Sequence, residues 1–219
     1  KSSIFGGGSS NAKMGEIALS NNGILFFDEL PHFSKSILEA LREPLEDNKI
    51  LISRVNSKIM YETKFIFIAA MNPCPCGNLL SSLKECRCNE LEIQRYKNRL
   101  SEPSLDRIDS SVVMNDSFSD DKNLISSQEL HEKVIKAFIK QKQRGQKELN
   151  GKLSDKDIKK YCVLESESLN LLEKARINYQ LSFRSINKVL KVARTIADLN
   201  ENEIITKNDL LQSLSYRRR

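Results

Sequence analysis

Asp28 and Glu29 stand side by side behind the apolar run Ile24-Leu25-Phe26-Phe27. That run is bounded by the turn residues Asn21-Asn22-Gly23 and by Pro31, so it reads as a strand buried on both faces of a sheet. Such a strand delivers its last side chains to the carboxyl edge of the sheet, where ligands bind in α/β proteins. Carboxylates at the end of a core strand need partners. A divalent cation and a water to be activated would serve, which is the logic of a Walker B strand. Acids that are merely solvated at a strand end are the plain alternative.

A second apolar run, Phe65-Ile66-Phe67-Ile68-Ala69-Ala70, reads as another core strand, and Asn72 follows it. A neutral amide at a strand end beside an acidic one could orient a water between a metal and a phosphate. An Asn that caps a turn is its ordinary role. Cys74, Cys76, Cys86 and Cys88 come next, as two C-x-C pairs. Four thiolates could close a tetrahedral Zn²⁺ site, although C-x-C is tighter than the usual C-x₂₋₄-C. Reduced structural thiols are the alternative. Cys162 stands alone in a helical context and reads as core. Arg107 lies between Asp106 and Asp109, where an ion pair within the chain is expected. Arg184 falls in the first turn of a helix, where a cation opposes the helix dipole, so its placement points to a task rather than to helix stability.

The elements that must position these groups follow from local signals. Met14 to Leu19 reads as a short strand or a helical turn. Ser34 is placed to cap a helix carrying Ile37, Leu38, Leu41 and Leu45, which Pro44 should kink or end. Ile50–Ile52 and Ile59–Tyr61 flank a polar segment and read as a hairpin with Arg54 and Lys58 near its tip, a place that could probe a substrate. Glu90 to Leu100 reads as a helix with a basic face of Arg95, Lys97 and Arg99, and Ser111–Met114 as a third short strand. The polar stretch from Asn115 to Asp121 is the expected domain boundary. Beyond it the chain reads as helices. One is expected from Leu124 to Arg144, with a linker at Gly145–Lys152. Another starts at Ser154, and a third is lined by Leu169, Leu172, Ala175 and Tyr179. A fourth is capped by Ser182 with an apolar stripe through Val189, Ala193 and Ala197, and a last one is capped by Thr206.

Composition narrows the class. The 219 residues are 39% hydrophobic and 29% charged, as in an ordinary soluble globular protein. No run reaches the ~20 apolar residues of a membrane span, and the start lacks a signal-peptide core, so a cytoplasmic protein with no membrane partner is expected. An odd number of cysteines without a secretion signal favours metal or free thiols over disulfides. Residues 1–120 hold 14 Lys and Arg against 16 Asp and Glu, a net −2, and residues 121–219 hold 21 against 13, a net +8. The basic half could approach nucleic acid.

The segments Gly6-Gly7-Gly8-Ser9, Gly15-Glu16-Ile17, Gly23–Leu30, Leu41–Asp47 and Ile52-Ser53-Arg54 occur here in order. Ala69–Gly77, Cys86-Arg87-Cys88, Arg95-Tyr96, Leu105–Asp109, Leu181–Arg184 and Val192–Leu199 follow them. Together they resemble the magnesium-chelatase-like AAA+ ATPases of the bacterial competence (ComM/YifB) type. The doubled C-x-C after Ala-Met-Asn-Pro-Cys-Pro-Cys-Gly is the most specific part.

The resemblance implies an α/β fold. Residues 1–118 would form a partial AAA+ P-loop core, with a parallel sheet, flanking helices and a hairpin insertion. Residues 119–219 would form an all-α lid. It further implies ATP and Mg as ligands, with Asp28 on the metal and Glu29 polarising the attacking water. Asn72 would be sensor 1, Arg107 the arginine finger given to a neighbouring subunit, and Arg184 sensor 2. A ring hexamer acting on DNA as a branch-migration helicase in natural transformation is implied, with Arg54 or Lys58 touching phosphates. No G-x-x-x-x-G-K-[ST] occurs in the sequence. The family's Walker A loop is therefore expected before residue 1 or on a split-gene product, with little hydrolysis by this chain alone and an apolar sheet face left exposed or covered by a partner. His32, Glu102 and Ser104 depart from the family pattern. Two other functions stay open beside this one. One is a non-enzymatic module binding zinc and DNA or protein, and the other is the ATPase subunit of a magnesium chelatase.

Overall fold

The computed structural model describes residues 2–7, 14–53, 58–114, 116 and 125–217. Arg54 at the hairpin tip, Gly8-Ser9 and most of the expected boundary at 115–121 lie outside the described residues. The fold is mixed α/β, and its contacts divide it into two compact units, Lys1–Arg107 and Ile108–Arg219.

The first unit opens with two helical turns, α1 (Ser2–Phe5) and α2 (Glu16–Leu19), so Met14–Leu19 resolves to the helical alternative. Strand β1 (Ile24–Phe27) follows the Asn21-Asn22-Gly23 turn, in which Asn22 takes a left-handed conformation. Asn21 Oδ1 accepts from the Lys64 amide at 2.9 Å, tying this turn to the start of the second strand. Helices α3 (Lys35–Ala40) and α4 (Arg42–Asp47) are separate pieces. The break at Leu41 precedes Pro44, whose ring nitrogen cannot bond the Ala40 carbonyl. Ser34 holds the N-cap position, but its hydroxyl bonds Ser36 rather than the helix amides.

Strands β2 (Lys49–Ser53) and β3 (Lys58–Glu62) pair as an antiparallel hairpin, with Ile50 opposite Tyr61 and Ile52 opposite Ile59. Strand β4 (Ile66–Ala69) pairs parallel with β1. Leu25 and Phe27 join Leu30, Leu38, Leu41, Ile50 and Phe65 in the core. The opposite face of the pair carries Ile24, Phe26, Ile66 and Ile68, all exposed. The expectation of burial on both faces is therefore corrected: among the described residues β1 is covered on one face only. Helix α5 (Glu90–Lys97) starts from a capping box between Asn89 and Glu92 and buries Tyr96, and α6 (Glu102–Leu105) carries Pro103 in its first turn.

The second unit is helical. Helix α7 (Ser127–Gln143) is capped by Ser126, α8 (Asp155–Tyr161) by Ser154, and α9 spans Ser166–Asn178. Helix α10 (Phe183–Leu199) is capped by Ser182 and α11 (Lys207–Ser215) by Thr206, each hydroxyl accepting from an amide three residues on. Helix α10 is central, packing on α7, α8 and α11 through Val189, Ala193 and Ala197, with Ile158, Cys162, Ile205 and Leu210 around it.

Three expectations are corrected here. Ser111–Met114 forms no strand. Val112, Val113 and Met114 are exposed, and among the described residues only the Ser111 amide bonds backbone, at the Tyr216 carbonyl. A strand needs a neighbour to satisfy its amides. On α9 the buried face runs through Ser168 and Ala175, with Leu171 and Leu172 half-buried, while Leu169 and Tyr179 face outward. Gly145–Lys152 is not a solvated linker. Gln146 and Asn150 are buried, and Asn150 bonds Asp198, which also receives Arg194 and Arg144. Among the described residues no helix is long and apolar enough to cross a membrane.

Candidate functional site at the sheet edge

Parallel pairing decides where the acids and the amide lie. Ile24 is opposite Ile66 and Phe27 opposite Ala69, so both strands end at the same edge. The ladder continues past the strands, because the Ala70 amide donates to Phe27 O at 2.9 Å and the Leu30 amide to Ala70 O at 3.0 Å. Asp28 and Glu29 leave one strand where Met71 and Asn72 leave the other. Apolar β-branched and aromatic residues make the strands, and the polar residues begin where the strands stop.

Glu29 sits in the left-handed region, at φ 49° and ψ 48°. That conformation costs a non-glycine residue about 1–2 kcal/mol, and such strain collects at functional sites. It is held by the Asp28 carboxylate, which accepts the Glu29 amide at 2.8 Å, and by the helical turn Leu30–His32 that follows. Both carboxylates are exposed, and Glu29 Oε2 lies 3.7 Å from His32 Nδ1.

Tyr96 forms the floor beside them. Its ring packs edge-on to His32, with centroids 6.3 Å apart. Burial raises the tyrosine hydroxyl above its ordinary range, a hydrogen bond with the Asn72 backbone acts the other way, and the Glu29 charge adds to the rise. Gly77 lies close by, since a Cβ added to it would stand 3.9 Å from the Asn72 side-chain carbon. Glu29, His32, Tyr96 and Asn72 thus gather at one edge. Tyr96 and His32 are the members that residue patterns missed. An aromatic residue set among Arg95, Lys97 and Arg99 was the signal available for the first.

The four cysteines adjoin Asn72. Their sulfurs all lie within 4.8 Å of one another, and they could hold a metal ion. The separations are 3.4 Å for Cys74 to Cys76, 3.7 Å for Cys74 to Cys86 and 3.6 Å for Cys76 to Cys86. Backbone hydrogen bonds from Asn78 and Arg87 pull the Cys76 thiol down to about 6, while burial pushes Cys88 up to about 12. Cys162 is buried in the other unit, and burial raises its thiol to about 11, as suits a core cysteine.

The remaining candidates are placed as follows. Arg107 is nearly buried, with its Nε against the Glu46 carboxylate and its Nη1 donating to the Pro103 carbonyl, so its partner is Glu46 rather than the flanking aspartates. Lys58 is exposed at the start of β3. Arg184 is exposed in the first turn of α10, in the second unit.

Comparison with known proteins adds to this geometry. Residues 1–121 match the family described as magnesium chelatase, subunit ChlI, and residues 125–217 match the ChlI C-terminal family. The chain is 41% identical to an uncharacterized protein, YifB, of Salmonella typhimurium over 98% of its length. It is 41% identical to the competence protein ComM of Haemophilus influenzae over 96% of its length. An uncharacterized protein of Mycobacterium tuberculosis is 32% identical over 98% of the chain. The matched regions are 42% of the first two relatives and 43% of the third, so the chain spans about two-fifths of their length.

Proposed function

The chain belongs to the magnesium chelatase ChlI family, and from that premise we propose that it is the carboxyl-terminal part of an AAA+ ATPase that binds Mg·ATP and acts on DNA. DNA is the chosen substrate because the competence relative is matched over nearly the whole chain. Residues 1–118 belong to the nucleotide-binding core and 119–219 to its helical lid. The observation that carries the reading is the parallel pairing of β1 and β4, which brings Asp28, Glu29 and Asn72 to one edge.

The donor set fits a magnesium-bound triphosphate, with an exposed oxygen ligand at Asp28, a second carboxylate beside it and a neutral amide across from both. Magnesium bound there neutralises charge developing on the phosphates. Asp28 would hold it. Glu29, aimed outward by its left-handed backbone, accepts the proton of the attacking water. Asn72 donates to and orients that water. Arg107, released from Glu46, is presented to the nucleotide of a neighbouring subunit in a ring, and Arg184 reads the nucleotide from the lid. The four cysteines are read as a zinc site, which would also be present in a non-enzymatic DNA-binding module.

The test is ATP hydrolysis by the full-length protein carrying Glu29→Gln. Turnover falls about 10²–10⁴-fold, the usual contribution of a general base, while nucleotide binding is kept. Equal turnover in variant and parent would remove Glu29 from the role. ATP-independent DNA binding with no turnover in either would favour the module.

A further inference from the structure

The cysteine cluster and the sheet edge share a backbone. Asn72 is followed by Pro73 and then by Cys74, which is completely buried. The next two residues of the turn are Pro75 and Cys76, and the turn closes with the Gly77 amide donating to Cys74 O at 3.0 Å. Gly77 has φ 81°, and a Cβ added to it would come within 3.9 Å of the Asn72 side chain. Cys86 and Cys88 return the chain to the same point and lead directly into Asn89, the cap of α5. Two turns further along that helix, Tyr96 hydrogen-bonds with the Asn72 backbone. Asn72 therefore lies between the cysteine turn, at Gly77, and helix α5, at Tyr96.

The sulfur spacing fits a single tetrahedral ion. Four thiolates at ~2.3 Å from one zinc ion sit about 3.8 Å from each other, and three pairs here are at 3.4, 3.7 and 3.6 Å. A multinuclear iron–sulfur cluster spreads its thiolates over several irons, which a set lying wholly within 4.8 Å does not allow. Backbone amides directed at the Cys76 sulfur are the outer-shell support a bound thiolate uses.

We infer that Cys74, Cys76, Cys86 and Cys88 bind one tetrahedral zinc ion, and that this ion is a positioning device which fixes Asn72, through Gly77 and Tyr96, at the edge where Asp28 and Glu29 end. The zinc ion takes no part in phosphate chemistry. The metal joins residues 74–88 into one rigid loop, and the loop sets where the amide of Asn72 stands. The positioning part rests on the ATPase reading for its purpose but not for its measurement.

The test uses the purified full-length protein and Zn²⁺ or Co²⁺ alone as the probe. Elemental analysis finds one zinc per chain, lost in Cys86→Ser/Cys88→Ser. Cobalt substitution gives the intense thiolate charge-transfer and tetrahedral ligand-field bands of a four-sulfur site. On chelation, amide exchange in peptides covering 70–78 and 89–97 speeds up at least tenfold, and zinc restores it, while peptides within 183–199 are unchanged. Tyr96→Phe guards against the zinc-free protein simply unfolding: it keeps its zinc and still loosens 70–78.

No zinc in the parent, and no uptake of either metal, overturns the site. Metal bound without any change at 70–78 in the zinc-free protein or in Tyr96→Phe overturns the positioning role. Neither failure touches the Glu29→Gln result, and a failed Glu29→Gln result leaves zinc content and exchange as they are.

Discussion

Gly15 has no room for a side chain. A Cβ there would stand 2.1 Å from the Gly6 nitrogen and 2.4 Å from the Ile4 oxygen, both backbone atoms that cannot swing away. Gly77 presents the opposite case. It has φ 81°, but the nearest atom to an added Cβ is 3.9 Å distant. Gly77→Ala should then cost only its left-handed backbone, about 1–2 kcal/mol. Gly15→Ala must push α1 off α2 and should cost more, read as a lower midpoint in urea with unchanged slope for Gly77→Ala and a larger fall for Gly15→Ala. The residue scale is also where the strand ends and the thiol cluster were legible in the sequence. Asp28, Glu29, Asn72 and the four cysteines carry their chemistry in their types, and the apolar runs before them showed where strands would stop. The Glu46 partner of Arg107 was not legible, because the two are far apart in sequence and only the packing of α4 brings them together.

At the scale of elements, the helical unit is held by caps and by a buried polar knot. Asp198 and Arg194 are each 1% exposed, and Asp198 accepts from Arg194, Arg144 and Asn150. Removing one partner strands the others without water, so Asp198→Ala should destabilise the unit by about 3–5 kcal/mol in calorimetry or denaturant unfolding. Asp209 makes a pH-dependent contribution. Burial raises its carboxyl, but hydrogen bonds from Asn200, Thr206 and Asn202 outweigh this and leave it below its ordinary 3.8. A carboxyl lowered on folding stabilises above its unfolded value and ceases to as pH falls through the folded one. Stability of this unit should thus decline in acid, from about pH 4 downward, and Asp209→Asn should be less stable at neutral pH with a shallower acid decline. The caps at Ser154, Ser182 and Thr206 were legible because their signal is local, a hydroxyl three residues before an amide it can reach. The knot at Gln146 and Asn150 was not, since a mostly polar stretch with two glycines looks like a linker until Asp198 is placed beneath it. Ser111–Met114 misled for the converse reason: three apolar residues in a row satisfy a strand pattern, and pattern says nothing of whether a partner strand exists.

At the scale of the whole molecule, charge and uncovered surface are unevenly distributed. Ile24, Phe26 and their register partners Ile66 and Ile68 present an apolar sheet face with no cover among the described residues. The composition of β1 foretold a face needing cover, but periodicity cannot say which segment provides it. Residues 121–219 carry a net +8 against −2 for residues 1–120, and the hairpin adds Lys58 at an exposed end of β3. If DNA is the substrate, its phosphates release counterions as lysines and arginines replace them, and log affinity falls linearly with log salt. A residue that touches one phosphate contributes about one unit to that slope whatever the base sequence. Lys58→Ala in the full-length protein should therefore weaken binding to unrelated DNA sequences equally and lower the salt slope by about one, in fluorescence anisotropy from low to physiological salt. Lys207 lies in the basic half but pairs with Glu167 at 3.4 Å, so Lys207→Ala should leave the slope unchanged. Equal slopes for Lys58→Ala and the parent would place the hairpin away from the nucleic acid, and the basic helical unit would then have to carry the contact alone.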